Sequence, residues 1–598
     1  MSNRDLEYVF GVNKSSSNSS WIRFNSILDN HKELLKQKYN LSEVLSTLIL
    51  NREISIDEID NFINPKIENL MPDPSKMKDM DKTVKRLIYS IENDETIGIF
   101  GDYDVDGACS ASILKLFLNH INIKSEIHIP DRFKEGYGPN TNALKELMRK
   151  GCKLILTVDC GITAFEPIQS AKDLGMDVII IDHHITGPEL PKAYSVINPN
   201  RFDEENKLNY LSAAGVCFML IVALRRKLKE KNFFNTTLVY PDLNLYLDLV
   251  ALATVCDVVP LIELNRAFVK SGLKVMRLRL NQGIKALYDL SNINEPPDEN
   301  NISFQIGPKI NAAGRLGNSK LGVEILTSIE KVNSEVLAEK LESLNNQRKE
   351  IQDIIFEKAK EKIIDEKLFK NNVIVAFGKN WHEGVIGIIA GRIKEEFNKP
   401  TVIISINEKN IGKGSARSIG VFDFGSAVLL AEQSGLIIAG GGHHMAAGLT
   451  ILEENIEKFS EFLQKKFLKQ VKGDQIQKKI FVDFPISINA ANQNLLDDIS
   501  LLSPFGSGNQ EPIFAIGSSK ITFLKAIGKL GNHFSFKIKD EGEGVLDCIC
   551  FNAAGTSIGD DIKKAYDGYL INLVGYIKNN SFKNKPQLHV LDCSIVNF

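Results

Sequence analysis

The sequence predicts an α/β protein: two α/β lobes joined by a long helix, with a small β-barrel at the C-terminal end. Three observations carry this prediction. From about residue 80 to 200, short apolar runs rich in β-branched residues (TIGIF, SEIHIP, KLILTVD, MDVIIID) alternate with helical stretches of roughly ten to fifteen residues. That is the rhythm of a parallel sheet covered on both faces. It returns from about 371 to 460, where NNVIVAFG and KPTVIISI flank the helical HEGVIGIIAGRIKEEF. From about 468 onward the chain breaks into many short strand-like runs with glycine turns, the pattern of a small barrel. The 598 residues are too many for one core and suit about three to five domains.

In chain order, residues 1–75 read as a helical cap. Leu41 to Leu50 is apolar at helical spacing, and the prolines of INPKIENLMPDPS end it. The first lobe spans 76–330. Thr96 to Gly101 reads as a buried strand, followed by a turn carrying Asp102, Asp104 and Asp106 and by a helix from near Ala108. KLILTVD ends on Asp159, and DVIIID runs through Asp182 into His183 and His184. Parallel strands have their carboxyl ends together, so these groups can meet at one edge, where open α/β sheets bind ligands. Residues 208–290 are helical. Within them LDLVALATVCDVVPL is apolar apart from Asp248 and Asp257, and a charge in such a run needs a partner or a metal. Asp257 is assigned to a metal cluster, with a capping or salt-bridged role as the alternative. Gly314 and Gly317 flank Arg315 in an expected loop before a helix, where an arginine suits bidentate phosphate recognition or a purely structural role.

Residues 331–370 form the connector. Leu337, Leu341, Leu344, Ile351 and Ile355 give a helix over about 333–365 an apolar stripe. The stripe is short and Arg348 interrupts it, which favours a rigid connector over a coiled-coil dimer. In the second lobe, 371–462, GKGSARSIG is expected to be a loop whose Ser415, Arg417 and glycine amides cradle a terminal phosphate. AGGGHHMAAG places His443 and His444 behind three glycines. The last domain, 463–598, opens on the lysine-rich KKFLKQVKGDQIQKK. It mixes Phe523, Phe534, Phe536, Tyr576 and Phe582 with Lys525, Lys537, Lys578, Lys583 and Lys585. That mixture suits stacking of single-stranded bases in a positive groove. It equally suits a barrel with aromatic core residues and lysine-protected edges.

Composition narrows the class. Hydrophobic content of 43% and charged content of 25% are those of ordinary globular protein. A net charge of −3 leaves any polyanion site to local basic clusters. The eight cysteines form no CxxC pair, so a zinc site of the usual spacing is not expected; Cys160 and Cys256 read as small buried thiols in a reducing cytosol. MSNRDLEYVFGVNKSSSNSS lacks the apolar core of a signal peptide, and no uncharged apolar run reaches about 18 residues. A cytoplasmic protein with no membrane partner is expected.

Asp102, Asp104 and Asp106 stand at every second position, and carboxylates so close repel one another unless a cation lies among them. A calcium loop needs a bidentate Glu at its twelfth position, which counted from Asp102 is Ile113. Asp104, Asp106, Asp159, His183 and Asp257, with Asp102 nearby, form a mixed carboxylate and imidazole set. Such a set suits two ions of Mn²⁺, with Mg²⁺ usable. Two such ions about 3.5 to 4 Å apart perform in-line phosphoester hydrolysis. Asp159 is the candidate bridging ligand. His184 is expected to donate to a phosphoryl oxygen or to protonate the leaving group. No GxSxG elbow is present to support a serine nucleophile.

GDYDVDG, TVDCG, IDHH, ATVCDVVPL and GGHHMAAG resemble the DHH phosphoesterase superfamily and its DHH-associated domain. IPDRFKEGYG, IGPKINAAGRLG, GKGSARS and LLSPFGSGNQEPIF are similar to the RecJ-type single-stranded-DNA-specific exonucleases within it. The resemblance runs from about residue 40 to the C-terminal end and includes an OB-like barrel that shorter relatives lack. It implies processive 5′→3′ degradation of single-stranded DNA to nucleotides, driven by Mn²⁺ or Mg²⁺, in recombination and repair. By position, Asp104, Asp106, Asp159, His183, His184 and Asp257 match the metal and catalytic centre. Arg132 and Arg315 match contacts to substrate phosphates. Ser415 and Arg417 match the 5′-phosphate pocket, and His443 and His444 the DHH-associated glycine motif. Cys256 stands where relatives often carry Ala. The implied partners are single-stranded DNA, a single-stranded-DNA-binding protein and a helicase, with a monomer as the default. A small-substrate phosphodiesterase acting on short RNA or cyclic dinucleotides shares this chemistry without needing the barrel. A non-catalytic DNA-binding scaffold of the same fold would be expected to have lost its acidic ligands.

Overall fold

A five-stranded parallel sheet brings the acid turns together. Its strands are β1 (Thr96–Gly101), β2 (Ser125–His128), β3 (Cys152–Val158), β4 (Asp177–Ile181) and β5 (Ser195–Ile197), in the order β2-β1-β3-β4-β5. Ile99 pairs with Leu156, and Leu156 with Ile179; all three are buried, as strands covered on both faces require. The computed structural model describes residues 6–24, 29–236, 238–471, 477–542, 544–580 and 583–596. The sheet belongs to a unit of Ser75–Cys256 with Val275–Ile476; a second unit joins Met1–Pro74, Asp257–Lys274 and Gln477–Phe598.

In the first of these units, helix α1 (Met80–Glu92), which leads into β1, and the crossover helices α2 (Val105–His120), α3 (Thr141–Arg149) and α4 (Phe165–Asp173) cover the sheet. The helix expected from Ala108 starts three residues earlier. The Asp104 side chain accepts from Gly107 N at 3.0 Å and caps it at Val105. A Cβ on Gly107 would lie 2.5 Å from Asp102 O, so only glycine lets the helix begin this close to the strand end. Helix α5 (Ala213–Glu230) packs on α2, as does the apolar α6 (Leu247–Cys256). Arg315 does not lie in a loop: it is the last residue of helix α7 (Gly307–Arg315), and the chain turns only at Gly317, with φ +82°.

Helix α8 (Lys331–Asp365) has 35 residues and is about 52 Å long at 1.5 Å per residue. It buries Leu337, Ala338 and Leu341 near one end, and Ile355, Phe356, Ala359 and Ile363 near the other. The second group shares a core with β6 (Ile374–Lys379), α9 (Ile386–Phe397) and β7 (Thr401–Ile406). Arg348, the break in the stripe, bonds Asn345 Oδ1 at 2.9 Å and Gln352 Oε1 at 3.0 Å along its own helix. The second lobe's sheet continues through β8 (Ile411–Arg417), β9 (Ala439–His443) and β10 (Ala446–Leu452), in the order β9-β10-β8-β7-β6, with α10 (Phe424–Gln433) between β8 and β9. GKGSARSIG is therefore mostly strand rather than loop, and AGGGHHMAAG is a hairpin. Small residues there lowered the apparent strand signal.

In the other unit, the five strands Phe514–Ile527, His533–Lys539, Val545–Cys550, Ile571–Asn580 and Lys585–Ile595 close a barrel through pairing of the first with the fourth. PIFAIGSS and KITFLKAIG read as two short strand-like runs but form one strand; register shifts in its pairings bend it without ending it. The N-terminal segment is not purely helical. Strands Leu6–Tyr8 and Ser20–Phe24 pair with each other, and the latter pairs with Lys479–Phe481. Trp21 is fully buried and donates to Asp592 Oδ2 at 2.9 Å. Helix Glu43–Asn51, over the expected Leu41 to Leu50, contributes Leu45, Leu48 and Ile49 to one core with Phe514, Phe534 and Phe536. Phe534 and Phe536 are thus core residues and offer no stacking surface. Lys578 pairs with Glu511 at 3.0 Å and Lys583 with Asp547 at 2.7 Å; Phe523 is exposed, and Phe582 lies outside the described residues. Among the described residues no helix is long and apolar enough to cross a membrane.

Candidate active site

Three neighbouring strands end in acid at the same level. Asp102 N donates to Val158 O, Asp159 N to Ile181 O and Asp182 N to Ile197 O, so each acid is the first residue past its strand and still tied to the ladder. Asp159 sits at φ +58°, a left-handed backbone in a non-glycine residue. Such strain at a strand end is characteristic of sites where a side chain must be aimed. Asp106, on the first turn of α2, accepts from Ala213 N at 2.7 Å and Ala214 N at 2.8 Å. The amino end of α5 thus holds this carboxylate in place.

His183 and His184 are oriented by different acceptors. His183 Nδ1 lies 3.1 Å from Leu211 O, a group that only accepts, so Nδ1 carries the proton and Nε2 presents its lone pair. Nε2 stands 3.3 Å from Asp159 Oδ1 and 3.8 Å from Asp106 Oδ2. His184 Nδ1 donates to Asp182 Oδ1 at 2.7 Å, which leaves Nε2 facing outward on a partly exposed ring. Asp182, which the strand pattern alone gave no role, is fully buried. It also accepts from Ile162 N, His183 N and His184 N. Burial raises its carboxyl, but the bonds and charge of His184 outweigh that and hold it below the ordinary value.

The donor set fits divalent cations. Asp159, His183 and His184 form one group able to hold an ion, and Asp102, Asp104 and Asp159 form another; Asp159 belongs to both. Asp102 Oδ1 is buried with no hydrogen-bond partner. Burial pushes the Asp102 carboxyl well up, with Asp104 adding repulsion, and burial likewise raises Asp106. A cation among them supplies the missing partner and favours the ionised forms. Asp257 follows Cys256, the last residue of α6, by one peptide bond, where the chain passes from one unit to the other. Asp248 is buried within α6, accepts from Leu249 N at 2.7 Å, and is raised by burial to about 7.

A cavity of about 590 Å³ joins the two lobes of this unit. Arg132, Arg315, Arg417 and Lys413 line it against one acid, Glu383. Arg315 Nη1 donates to Gly384 O at 3.0 Å; burial, with Arg132, Arg348 and Arg417 close by, pushes it down to about 10, which leaves it charged at neutral pH. Arg417 Nη1 donates to Ser415 Oγ at 3.1 Å. A Cβ on Gly387 would come within 3.0 Å of both Arg417 Nη2 and Ser415 Oγ, so α9 begins with the space these groups need. The Arg132 guanidinium lies 5.3 Å from the Tyr103 ring centre, Tyr103 lies 6.4 Å from Tyr137, and Tyr137 lies 6.0 Å from His184. These rings bridge the arginines and the histidine, and no sequence motif singled them out.

One side of the second-lobe sheet is nearly bare. Register-paired rows across β8, β10 and β9 are Lys413-Thr450-Ala439, Ser415-Gly448-Gly441 and Arg417-Ala446-His443. A Cβ built on Gly441 or Gly448 meets nothing within 4 Å, and neither has a positive φ. Strand glycines cost stability, and with no internal reason for them they mark a surface another molecule approaches. His443 stands on this side in the row of Arg417, whereas His444 lies in the hairpin turn, where its carbonyl accepts from Phe424 N. Neither lines the cavity.

Residues 96–254 match the DHH family, N-terminal domain, residues 370–469 the DHHA1 domain and residues 482–592 the RecJ OB domain. The chain is 31% identical over 572 residues to the single-stranded-DNA-specific exonuclease RecJ of Bacillus subtilis (strain 168), covering 94% of this chain and 69% of that protein. It is 33% identical over 537 residues to the protein of the same name from Haemophilus influenzae, covering 87% and 91%. In fold it resembles the crystal structure of RecJ in complex with Mn²⁺ from Thermus thermophilus, with a TM-score of 0.78 at 23% identity over 95% of this chain and 78% of that one.

Proposed function

Because this chain belongs to the RecJ family of single-stranded-DNA-specific exonucleases, metal-dependent phosphoesterases of the DHH type, we propose that it removes nucleotides from the 5′ end of a single strand in recombination and repair. The observation that carries this reading is Asp159, common to two cation-binding groups at a strand edge of the unit that also holds the arginine-lined cavity. Asp102, Asp104, Asp106, Asp159 and His183 would hold two divalent ions, Mn²⁺ or Mg²⁺. When bound, the ions act as Lewis acids on the scissile phosphate and lower the pKa of the attacking water.

The chain's own groups do the rest. His184 Nε2 donates to a phosphoryl oxygen or to the departing oxygen, while Asp182 at Nδ1 favours the protonated ring. Arg132, Arg315, Ser415 and Arg417 grip the 5′-terminal phosphate, with guanidinium forks suited to its oxygens. The bare sheet face of Gly441 and Gly448 receives the flat nucleoside behind it, with His443 at its edge. A cleft between the two lobes too narrow for a duplex but wide enough for one strand would give single-strand selectivity. An OB-like barrel extends the grip on the strand, as a long substrate requires and a dinucleotide does not.

The test compares 5′-phosphorylated with 5′-hydroxyl oligonucleotides, labelled at the 3′ end, in Mn²⁺. The parent protein prefers the phosphorylated end and shortens the strand from it. Arg417→Ala loses that preference while still cutting. An unchanged preference removes the pocket assignment, and shortening from the labelled end reverses the polarity.

A further inference from the structure

The metal groups occupy the carboxyl edge of the first sheet; its amino edge carries a second concave surface that this chemistry does not use. Two adjoining hollows of about 220 and 470 Å³ share Asp177, the first residue of β4, and Tyr194, which precedes β5. Lys82 and Lys85 reach them from α1, Lys153 from the start of β3, Lys172 from α4 and Lys192 from the approach to β5. All five are exposed, and none makes an ion pair among the described residues.

The acids lining the hollows are already engaged. Arg86 is buried and donates through Nε to Asp177 Oδ2 at 2.6 Å and through Nη1 to Glu95 Oε2 at 2.8 Å, while Ser90 Oγ donates to the same Glu95 oxygen. Arg86 and five lysines thus face two acids, a surplus of four positive charges on a chain whose net charge is −3. Two aromatic rings stand among the lysines. Tyr89 is 54% exposed, and Tyr194 carries Lys82 Nζ 4.9 Å from its ring centre. Ammonium groups interleaved with accessible rings suit a single strand, with phosphates on the lysines and bases on the tyrosines. An acidic protein surface would use the lysines but has less use for the rings.

We propose that this amino-edge groove is a second binding site for single-stranded DNA, holding a part of the strand distant from the end being cut. The strands between the two edges have five to seven residues, about 20 Å at 3.3 Å per residue. A substrate of about four nucleotides therefore occupies the catalytic edge alone, whereas one of about forty reaches both. The groove rests on the reading of the chain as a single-strand nuclease, and cleavage of the short substrate monitors that reading separately.

The experiment replaces Lys85, Lys153, Lys172 and Lys192 together by Gln in the full chain. Affinity for oligo-dT of both lengths is measured across a salt series, together with cleavage in Mn²⁺. Binding of the long strand is expected to weaken at least about tenfold. Its log–log salt slope should fall by about 3, since each phosphate left without its lysine removes about 0.7. Cleavage of the short strand should not change. An unchanged long-strand slope overturns the inference, and so does an equal loss on both lengths. Poly-glutamate is added as competitor. If it binds the parent but not the variant while DNA binding is unaltered, the groove belongs to an acidic protein instead, and the inference also fails.

Discussion

Asp182 shows how much of the site lies in a residue that touches no phosphate. It is buried and accepts four hydrogen bonds, one of them fixing His184. Asparagine has the same shape but would turn an NH₂ toward one of these donors. Asp182→Asn is therefore expected to fold while losing about 10- to 100-fold in activity, the usual cost of removing the outer partner that orients a histidine at a metal site. Nuclease kinetics check this; a variant with a parent-like rate would make Asp182 merely structural. Residues that end strands were legible in the sequence, because β-branched runs stop visibly at Asp102, Asp159 and Asp182. What those residues bond was not, since Leu211 O and Ala213 N come from another element entirely. Asp182 itself stood in plain view, masked by the two histidines after it.

At the scale of elements, the strand β10 carries Gly448 on its open side. A Cβ there meets no atom within 4 Å, and valine has the better strand propensity, so Gly448→Val should hold stability or raise it by up to about 1 kcal/mol. Cleavage of single strands should nevertheless fall by about 10²-fold, because the nucleoside loses its seat. Thermal unfolding and steady-state rates on one preparation separate the two effects; a parent-like rate would remove the sheet face from the substrate path. Glycine also explains why β8 looked like a loop. Its sheet partners supply the buried side chains, Ile404 and Leu449, that Gly412 and Gly414 leave room for.

The barrel gives a pH dependence of its own. His589, on strand Lys585–Ile595, is lowered to about 4 by burial and then by Lys578. An unfolded histidine titrates near 6.5, so between those values the unfolded chain binds a proton that the folded one refuses. Barrel stability should therefore be full above about pH 6.5 and fall as pH drops toward 4. Hydrogen exchange of strands Ile571–Asn580 and Lys585–Ile595 measures it, and His589→Gln should flatten the slope. An equally steep variant would assign the loss to other groups.

For the molecule as a whole, periodicity made each lobe and the barrel legible, but not which segments share a core. The N-terminal residues join the barrel through Trp21 and Leu48. Buried Arg266 ties segment Asp257–Lys274 to the same unit, donating to the carbonyls of Phe62, Leu501 and Leu502. Contacts between residues hundreds apart leave no local pattern. Helix α8 was legible because its apolar spacing persists over many turns, and the arginine-lined cavity lies between the two lobes it joins. Arg132 and Arg315 come from one lobe, Ser415 and Arg417 from the other, and α8 is packed into both. Glu350 is exposed near the middle of this helix, so proline there removes one backbone bond, at about 3 kcal/mol, without touching either lobe's core. Glu350→Pro is expected to keep Mn²⁺ binding by Asp106, Asp159 and His183 while losing discrimination between 5′-phosphate and 5′-hydroxyl ends. Calorimetry and paired-substrate kinetics read the two properties apart. If discrimination survives the kink, contacts between the lobes, such as Arg315 with Gly384, set the cavity, and α8 only joins its halves.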